Sequence, residues 1–264
     1  LVDQTLDIGR LDGESLPLKV APRDAVPILK EQVDLFQVRA ETKHISLDTF
    51  CPVNSLPILL DDDKFGKILG NLLSNACKFT PEGGKILVSM DIITRKEAQS
   101  AFPLKGNDTS QEWVRVTVAD TGPGIPPEFS EKIFDRYYQV ENHSDGHYNY
   151  GTGIGLFYTK ALITLHHGYI KSVNMEGVSG AVLSFVLPRD ESAYAQEERV
   201  YDLPYTEESA PQLVSNPKTE PSASQKNKTL LIVDDDLEVS KYLKDILSDE
   251  YNIVSRFDAD SALA

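Results

Sequence analysis

The chain has 264 residues, 41% hydrophobic and 25% charged, with 26 basic against 41 acidic side chains for a formal charge of −15. This allows a soluble globular protein of one large domain or two with an ample core, and the acidic balance argues against a nucleic-acid-binding face. Cys51 and Cys77 are the only cysteines and lack metal-ligand spacing, no apolar run reaches the length of a membrane span, and no signal peptide is present, so a reduced, cytosolic setting is the simplest reading.

The chain opens on Leu1-Val2 and ends on Ser261-Ala262-Leu263-Ala264, from which an interior piece of a longer protein is expected. Residues 1–10 read as the tail of a helix, and Leu16, Leu18 and Val20 alternate as a short strand. Asp24 caps a helix through about Glu41, with Ile28, Leu29, Val33, Phe36 and Ala40 at helical spacing. Ile45, Leu47 and Thr49, then Leu56, Ile58 and Leu60, form two short extended runs. A helix from about Asp62 to Thr80 is capped by Asp61 or Asp62 and stopped by Pro81 and Gly83-Gly84. Phe65, Leu69, Leu72, Ala76 and Phe79 share its apolar face, flanked by Ile68 and Leu73. Ile86–Ile92 and Trp113–Ala119 are neighbouring strands joined by a polar connection, 94–112. Pro126-Pro127-Glu128 starts a short helical segment leading to Phe134, and 139–150 lack any period. A helix from about Ile154 to His166 precedes a hairpin of Tyr169–Asn174 and Ala181–Leu187. Residues 189–228, rich in Glu, Ser, Pro and Lys, read as a linker. Thr229–Val233, a helix through Val239, Leu243, Ile246 and Leu247, and a strand at Tyr251–Ser255 make the βαβ opening of a doubly wound domain.

Three stretches of the larger region carry chemistry. Asp120-Thr121-Gly122-Pro123-Gly124-Ile125 ends a valine-rich strand. The carboxylate can accept from an amino group on a flat heterocycle, and the glycines allow close approach and φ > 0. The same residues also describe an ordinary turn. On the 62–80 helix, Asn71, Asn75 and Lys78 form a stripe beside the apolar face. It reads either as a solvated edge or as a neutral oxygen ligand set for Mg²⁺ with an ammonium for phosphate; two asparagines one turn apart are poor helix formers and need a reason. Gly151-Thr152-Gly153-Ile154-Gly155-Leu156 opens a helix whose free N–H groups suit phosphate, but no strand precedes it, so it is not a dinucleotide fingerprint. Asp234-Asp235-Asp236, at a strand's carboxyl end, suggests a second Mg²⁺ site, with Asp236 as an N-cap the plainer alternative.

NLLSNACKFTPEGG, VADTGPGIP and GTGIGL, in that order, with IFDRYYQ between the last two, resemble the ATP-binding domain of sensor histidine kinases. That family also contains gyrase B, Hsp90 and MutL, and the resemblance covers roughly residues 16–188. It implies a two-layer α/β sandwich of the Bergerat type, a mixed sheet with helices on one face. LLIVDDD resembles the start of a receiver domain, implying a partial flavodoxin-like unit at 229–264, and residues 1–15 resemble the end of a dimerisation helix. The resemblance therefore implies a hybrid histidine kinase that binds ATP and Mg²⁺. Asp120 would accept from the adenine amino group in a pocket shaped by Gly122, Gly124 and Ile125. Asn75, assisted by Asn71, would hold Mg²⁺, and Lys78 would contact phosphate. Phe79 and Tyr137 would flank the nucleotide, with Gly151, Gly153 and Gly155 as lid hinges and phosphate-loop positions, Thr152 and Leu156 beside the nucleotide, and Ile154 among the residues that bind it. Residues 136–150 would be the lid, Phe134 would pack it or meet the dimerising helices, and Asp234 and Asp235 would hold the receiver Mg²⁺. Implied partners are a phosphoacceptor-histidine domain of the same or a second protomer, a receiver domain, and a homodimeric full-length protein anchored in the inner membrane with this region cytoplasmic.

None of His44, His143, His147, His166 and His167 stands where an acceptor histidine is expected, so the acceptor is placed upstream of residue 1 and autophosphorylation of these residues is not expected. The alternative is a gyrase- or Hsp90-like conformational ATPase. Such proteins carry a water-activating glutamate near the metal-ligand asparagine, and here Lys64 and Lys67 precede Asn71 instead.

Overall fold

The computed structural model describes residues 16–105, 108–138, 153–174, 180–200, 229–233 and 252–256. The chain divides into two units, Leu1–Pro204 and Tyr205–Ala264. In the first, β1 (Ala21–Asp24), α1 (Ala25–Thr42), β2 (Ser46–Phe50), β3 (Pro57–Leu60), α2 (Asp62–Phe79) and β4 (Lys85–Thr94) are followed by α3 (Arg95–Ala101), β5 (Glu112–Asp120), two short 3₁₀ turns, α4 (Gly155–Leu165), β6 (Tyr169–Asn174) and β7 (Ala181–Pro188). Five strands form one sheet in the order β2-β4-β5-β7-β6, with β2 parallel to β4 and the other pairs antiparallel. β1 and β3 pair separately. The expected mixed α/β architecture is present.

Side-chain alternation sorts the sheet into two faces. Ile86, Val88 and Met90 of β4, Val114, Val116 and Val118 of β5, and Leu183, Phe185 and Leu187 of β7 point into a core shared with α1, α2 and α4. Each such side chain contributes about 1.5–3 kcal/mol through burial. The opposite parity, Ile93, Trp113 and Val186, is covered by Ala98 of α3 and by Phe102. Helices are thus not confined to one face, and the expected polar connection 94–112 contains a helix. Its signal was a capping box: Thr94 Oγ1 accepts from the Glu97 amide, and the Glu97 carboxylate accepts from the Thr94 amide.

Three other expectations shift. The burial alternation at Leu16, Leu18 and Val20 holds, but the ladder begins at Ala21, because Val20 bridges instead to Arg199. The first residues of the expected linker are ordered into the fold. Residues 189–200 form a packed strap, with Tyr194 only 2% exposed against Leu18, Val20 and Leu59. The Val20 amide donates to Glu198 O at 2.7 Å and the Val200 amide to Val20 O at 2.8 Å. Phe79, expected on the core face of α2, is 51% exposed. It is the last helical residue, and the backbone turns extended at Thr80.

α2 buries Phe65, Ile68, Leu69, Leu72, Leu73, Ala76 and Cys77. Asp61 caps it, accepting the Lys64 amide at 3.2 Å and pairing with the Lys64 ammonium at 2.7 Å. The Asp61 amide donates to Nε2 of buried His166 at 3.4 Å, while His166 Nδ1 lies 2.8 Å from Leu162 O. An amide can only donate and a carbonyl only accept, so the ring is neutral with its proton on Nδ1.

In the second unit, β8 (Thr229–Val233) and β9 (Asn252–Arg256) pair in parallel, the arrangement a βαβ opening requires. The expected helix through Val239, the helix tail at 1–10 and the turn at 177–180, save Gly180, lie outside the described residues.

Burial pushes the His166 pKa below its ordinary 6.5. As pH falls through that ordinary value the unfolded chain takes up the proton first, so stability present above it is lost below. Denaturation midpoints measured from about pH 8 to about pH 5 should therefore fall, and less steeply in His166→Gln, whose side chain does not titrate; parallel slopes would refute the assignment.

Candidate functional site

Asp120 is the last residue of β5 and is 7% exposed. Its Oδ1 accepts from the Gly122 amide at 2.8 Å and from the Ala181 amide at 3.4 Å. Oδ2 has no partner among the described residues. Burial pushes the carboxyl pKa up, and the two amides oppose that without cancelling it. A buried carboxylate with one oxygen fixed and the other open is an acceptor waiting for a donor.

Gly122 packs directly on the end of α2. A Cβ there would lie 2.8 Å from Phe79 O and 2.8 Å from Asp120 Oδ1, so no side chain fits. Gly124 follows at φ +79°, a left-handed conformation that glycine adopts without strain. Ile125 is half-buried at the edge of the core. Thr121, outside the predicted set, links the turn to β4 by accepting the Lys85 amide at 2.8 Å.

Asn71, Asn75 and Lys78 are all half-buried on α2. Burial lowers the pKa of the Lys78 ammonium, which lies 4.6 Å from the centre of the Phe79 ring. Asn71 Oδ1 lies 3.8 Å from where a Cβ on Gly155 would stand, so α2 meets the first turn of α4 there. Ile154 and Leu156, on either side of Gly155, pack against the core. Tyr137, 62% exposed, holds φ +63°, and its amide donates to Gly153 O at 3.0 Å. Gly153 is itself at φ +67°, and a Cβ there would lie 2.7 Å from the Tyr137 carbonyl carbon. Among the described residues, Tyr137 and Gly153 thereby meet through their backbones. Gly151, Thr152, Asp234 and Asp235 lie outside the described residues.

The structure thus brings α2, the Asp120 turn and the start of α4 into contact at Phe79–Gly122 and Asn71–Gly155. Phe134 stands apart from that constellation. It is buried and lines a cleft of about 620 Å³ with Arg136, Phe157, Lys160, His167 and Glu198. That cleft shares no residue with the Asp120 turn or with residues 71–79, and the site is identified by donor chemistry rather than by concavity. Sequence reasoning missed the Ala181 amide, a backbone donor with no side-chain signature, and Lys43, whose ammonium sits beneath the last turn of α2.

Residues 60–191 match the family described as histidine kinase-, DNA gyrase B-, and HSP90-like ATPase. The sensor histidine kinase TmoS of Ectopseudomonas mendocina is 31% identical over 99% of this chain and 26% of its own length. The adaptive-response sensory kinase SasA of Thermosynechococcus vestitus is 34% identical over 70% of this chain and 46% of its own. The catalytic domain of histidine kinase ThkA superposes with a TM-score of 0.54 at 26% identity, covering 67% of this chain and 100% of that domain. Full-length ShkA in complex with AMPPNP shares the fold, with a TM-score of 0.56 at 23% identity over 99% of this chain and 46% of its own. The chain spans about a quarter of TmoS and under half of SasA. With half of its length matched, the chain belongs to the histidine kinase-, DNA gyrase B-, and HSP90-like ATPase family.

Proposed function

We propose that this chain is the ATP-binding catalytic part of a hybrid two-component sensor histidine kinase. It donates the γ-phosphoryl group of ATP to a histidine outside these 264 residues, from which the group passes to a receiver aspartate. The observation that carries the reading is Asp120, whose Oδ1 is held by two amides and whose Oδ2 is left to accept a proton donor. The exocyclic amine of adenine supplies that donor. Gly122 and Gly124 let the ring approach the backbone, and Ile125, Phe79, Tyr137, Ile154 and Leu156 offer it apolar surface. Lys78 meets the phosphates, together with amides of the 151–156 stretch at the amino end of α4.

Asn75, with Asn71 beside it, would hold Mg²⁺. Neutral amide oxygens fit a cation that arrives on phosphate oxygens, and among the described residues no cluster of three His, Cys, Asp or Glu offers an all-protein cage. When bound, the cation neutralises phosphate charge. Asp234 and Asp235 would hold a second one in the receiver part, where the parallel β8–β9 pair supports a doubly wound opening. In the transfer, the bond from the γ-phosphorus to the bridging oxygen breaks, leaving ADP, as a bond to the imidazole nitrogen forms. Positioning and electrostatics by this chain provide the catalysis. Of the described histidines, His166 is buried with both nitrogens engaged and is a poor acceptor. A conformational ATPase is the weaker reading, because Lys67 stands one turn before Asn71 and pairs with Asp63 at 3.0 Å, and α2 contains no glutamate.

Asp120→Asn keeps an oxygen for the two amides but turns an N–H towards the adenine amine. Because burial raises the pKa of this carboxyl, its ionisation costs the folded state, and the neutral amide should leave the unfolding temperature unchanged or raise it. ATP affinity should fall at least about tenfold; calorimetry showing wild-type affinity would sink the site. In the wild-type chain, affinity should decline on acidification above the ordinary aspartate value of 3.8, as Asp120 takes up its proton. Incubated with γ-labelled ATP, the 264-residue chain should acquire no acid-labile phosphohistidine; label on any of its five histidines would show the acceptor to be misplaced.

A further inference from the structure

Lys43 is the residue that ends α1. Its ammonium donates to Cys77 O at 2.8 Å, Thr80 O at 3.0 Å and Lys78 O at 3.3 Å. Three donors meet three acceptors, so the group is saturated. The first two carbonyls of that set to fall in the helix, those of Cys77 and Lys78, are among the last four of α2, which have no partner within the helix. A cation placed there also opposes the negative end of the helix dipole. The Thr80 amide and hydroxyl both bond Ala76 O, at 2.9 and 2.7 Å, so the last turn of α2 is fastened from two sides.

That turn carries the groups the nucleotide reading uses. Lys78 projects from it, and the Phe79 carbonyl touches Gly122. The Lys43 backbone joins in as well, its carbonyl accepting the Gly83 amide at 3.2 Å, while Gly84 O accepts the Ser46 amide at 3.0 Å. The Lys43 ammonium bonds only backbone oxygens of that turn.

We infer that Lys43 is a positioning residue for the phosphate-binding end of the site, acting through the last turn of α2 to set where Lys78 stands. The assignment rests on the ATP-binding reading. Without the ammonium, the carbonyls of Cys77, Lys78 and Thr80 must find water, and the turn bearing Lys78 loosens while α2 remains anchored by its buried face.

The test compares ATP with adenosine, which lacks the phosphates, on the 264-residue chain by calorimetry. Lys43→Met should weaken ATP about tenfold, the loss of one or two charge-assisted bonds' worth of order. Adenosine affinity should stay within about twofold, and Lys43→Arg should bind ATP nearly as wild type does. In a Lys78→Ala background, Lys43→Met should add little, because its effect runs through that side chain. Equal losses for ATP and adenosine, or full additivity with Lys78→Ala, would overturn the inference and leave Lys43 a fold residue. Lys43→Gln, which keeps two donors, replaces Lys43→Met if that chain does not fold, and failure of both to unfold cooperatively has the same meaning. A wild-type chain that binds neither ligand would overturn the ATP-binding reading itself, an outcome visible before any variant is made.

Discussion

Everything in the candidate site depends on α2 being held by opposite charges at its two ends. At its amino end the Asp61 carboxylate caps the free amides and pairs with Lys64, and at its carboxyl end the Lys43 ammonium takes up the free carbonyls. Both signs match the helix dipole. Between the clamps, seven buried side chains fix the rotation of the helix about its axis. Asn71, Asn75 and Lys78 therefore occupy a defined edge.

The parts of the site meet through backbone and small residues. Gly122 rests on Phe79 O, Gly155 faces Asn71, and Gly153 abuts Tyr137 with no space for a Cβ at the first and last of these. Such fits have little tolerance, which gives precision without a dense hydrogen-bond network. The charges tell a related story. Burial drives the Asp120 carboxyl and the Lys78 ammonium each towards its neutral form. Each group thus bears a desolvation cost that a ligand of matching polarity relieves, the pattern expected of a binding site.

Much of this was legible in the residues. The apolar period of α2 predicted its buried face because a helix packed along most of its length obeys one period. Phe79 broke the pattern because periodicity assumes packing through the last turn, and the chain leaves the core at Thr80. α3 was signalled by Thr94 and Glu97, yet its seven residues are too few for an apolar period to emerge. The strap at 189–200 was hidden by composition: one aromatic, Tyr194, does the burying, and the surrounding polar groups bond one another. Arg199 alone donates to Tyr194 O, Glu191 O and Glu191 Oε1. The amide of Ala181 on Asp120 spans 61 positions and becomes visible only once the β5–β7 register is known.

The bridge between Val20 and Arg199 has a mechanical consequence. The two stretches run parallel, and each approaches the bridge travelling in the same direction. A pull on the chain before Val20, opposed by a pull after Val200, loads the two hydrogen bonds between them along the strand axis, in shear, so that they must fail together instead of peeling one at a time. Tension carried along the polypeptide would be borne across this short clasp and would bypass the sheet, the helices and the Asp120 turn. The body between Val20 and Arg199 hangs from the clasp as a side loop, shielded from strain that passes from one flank of the chain to the other.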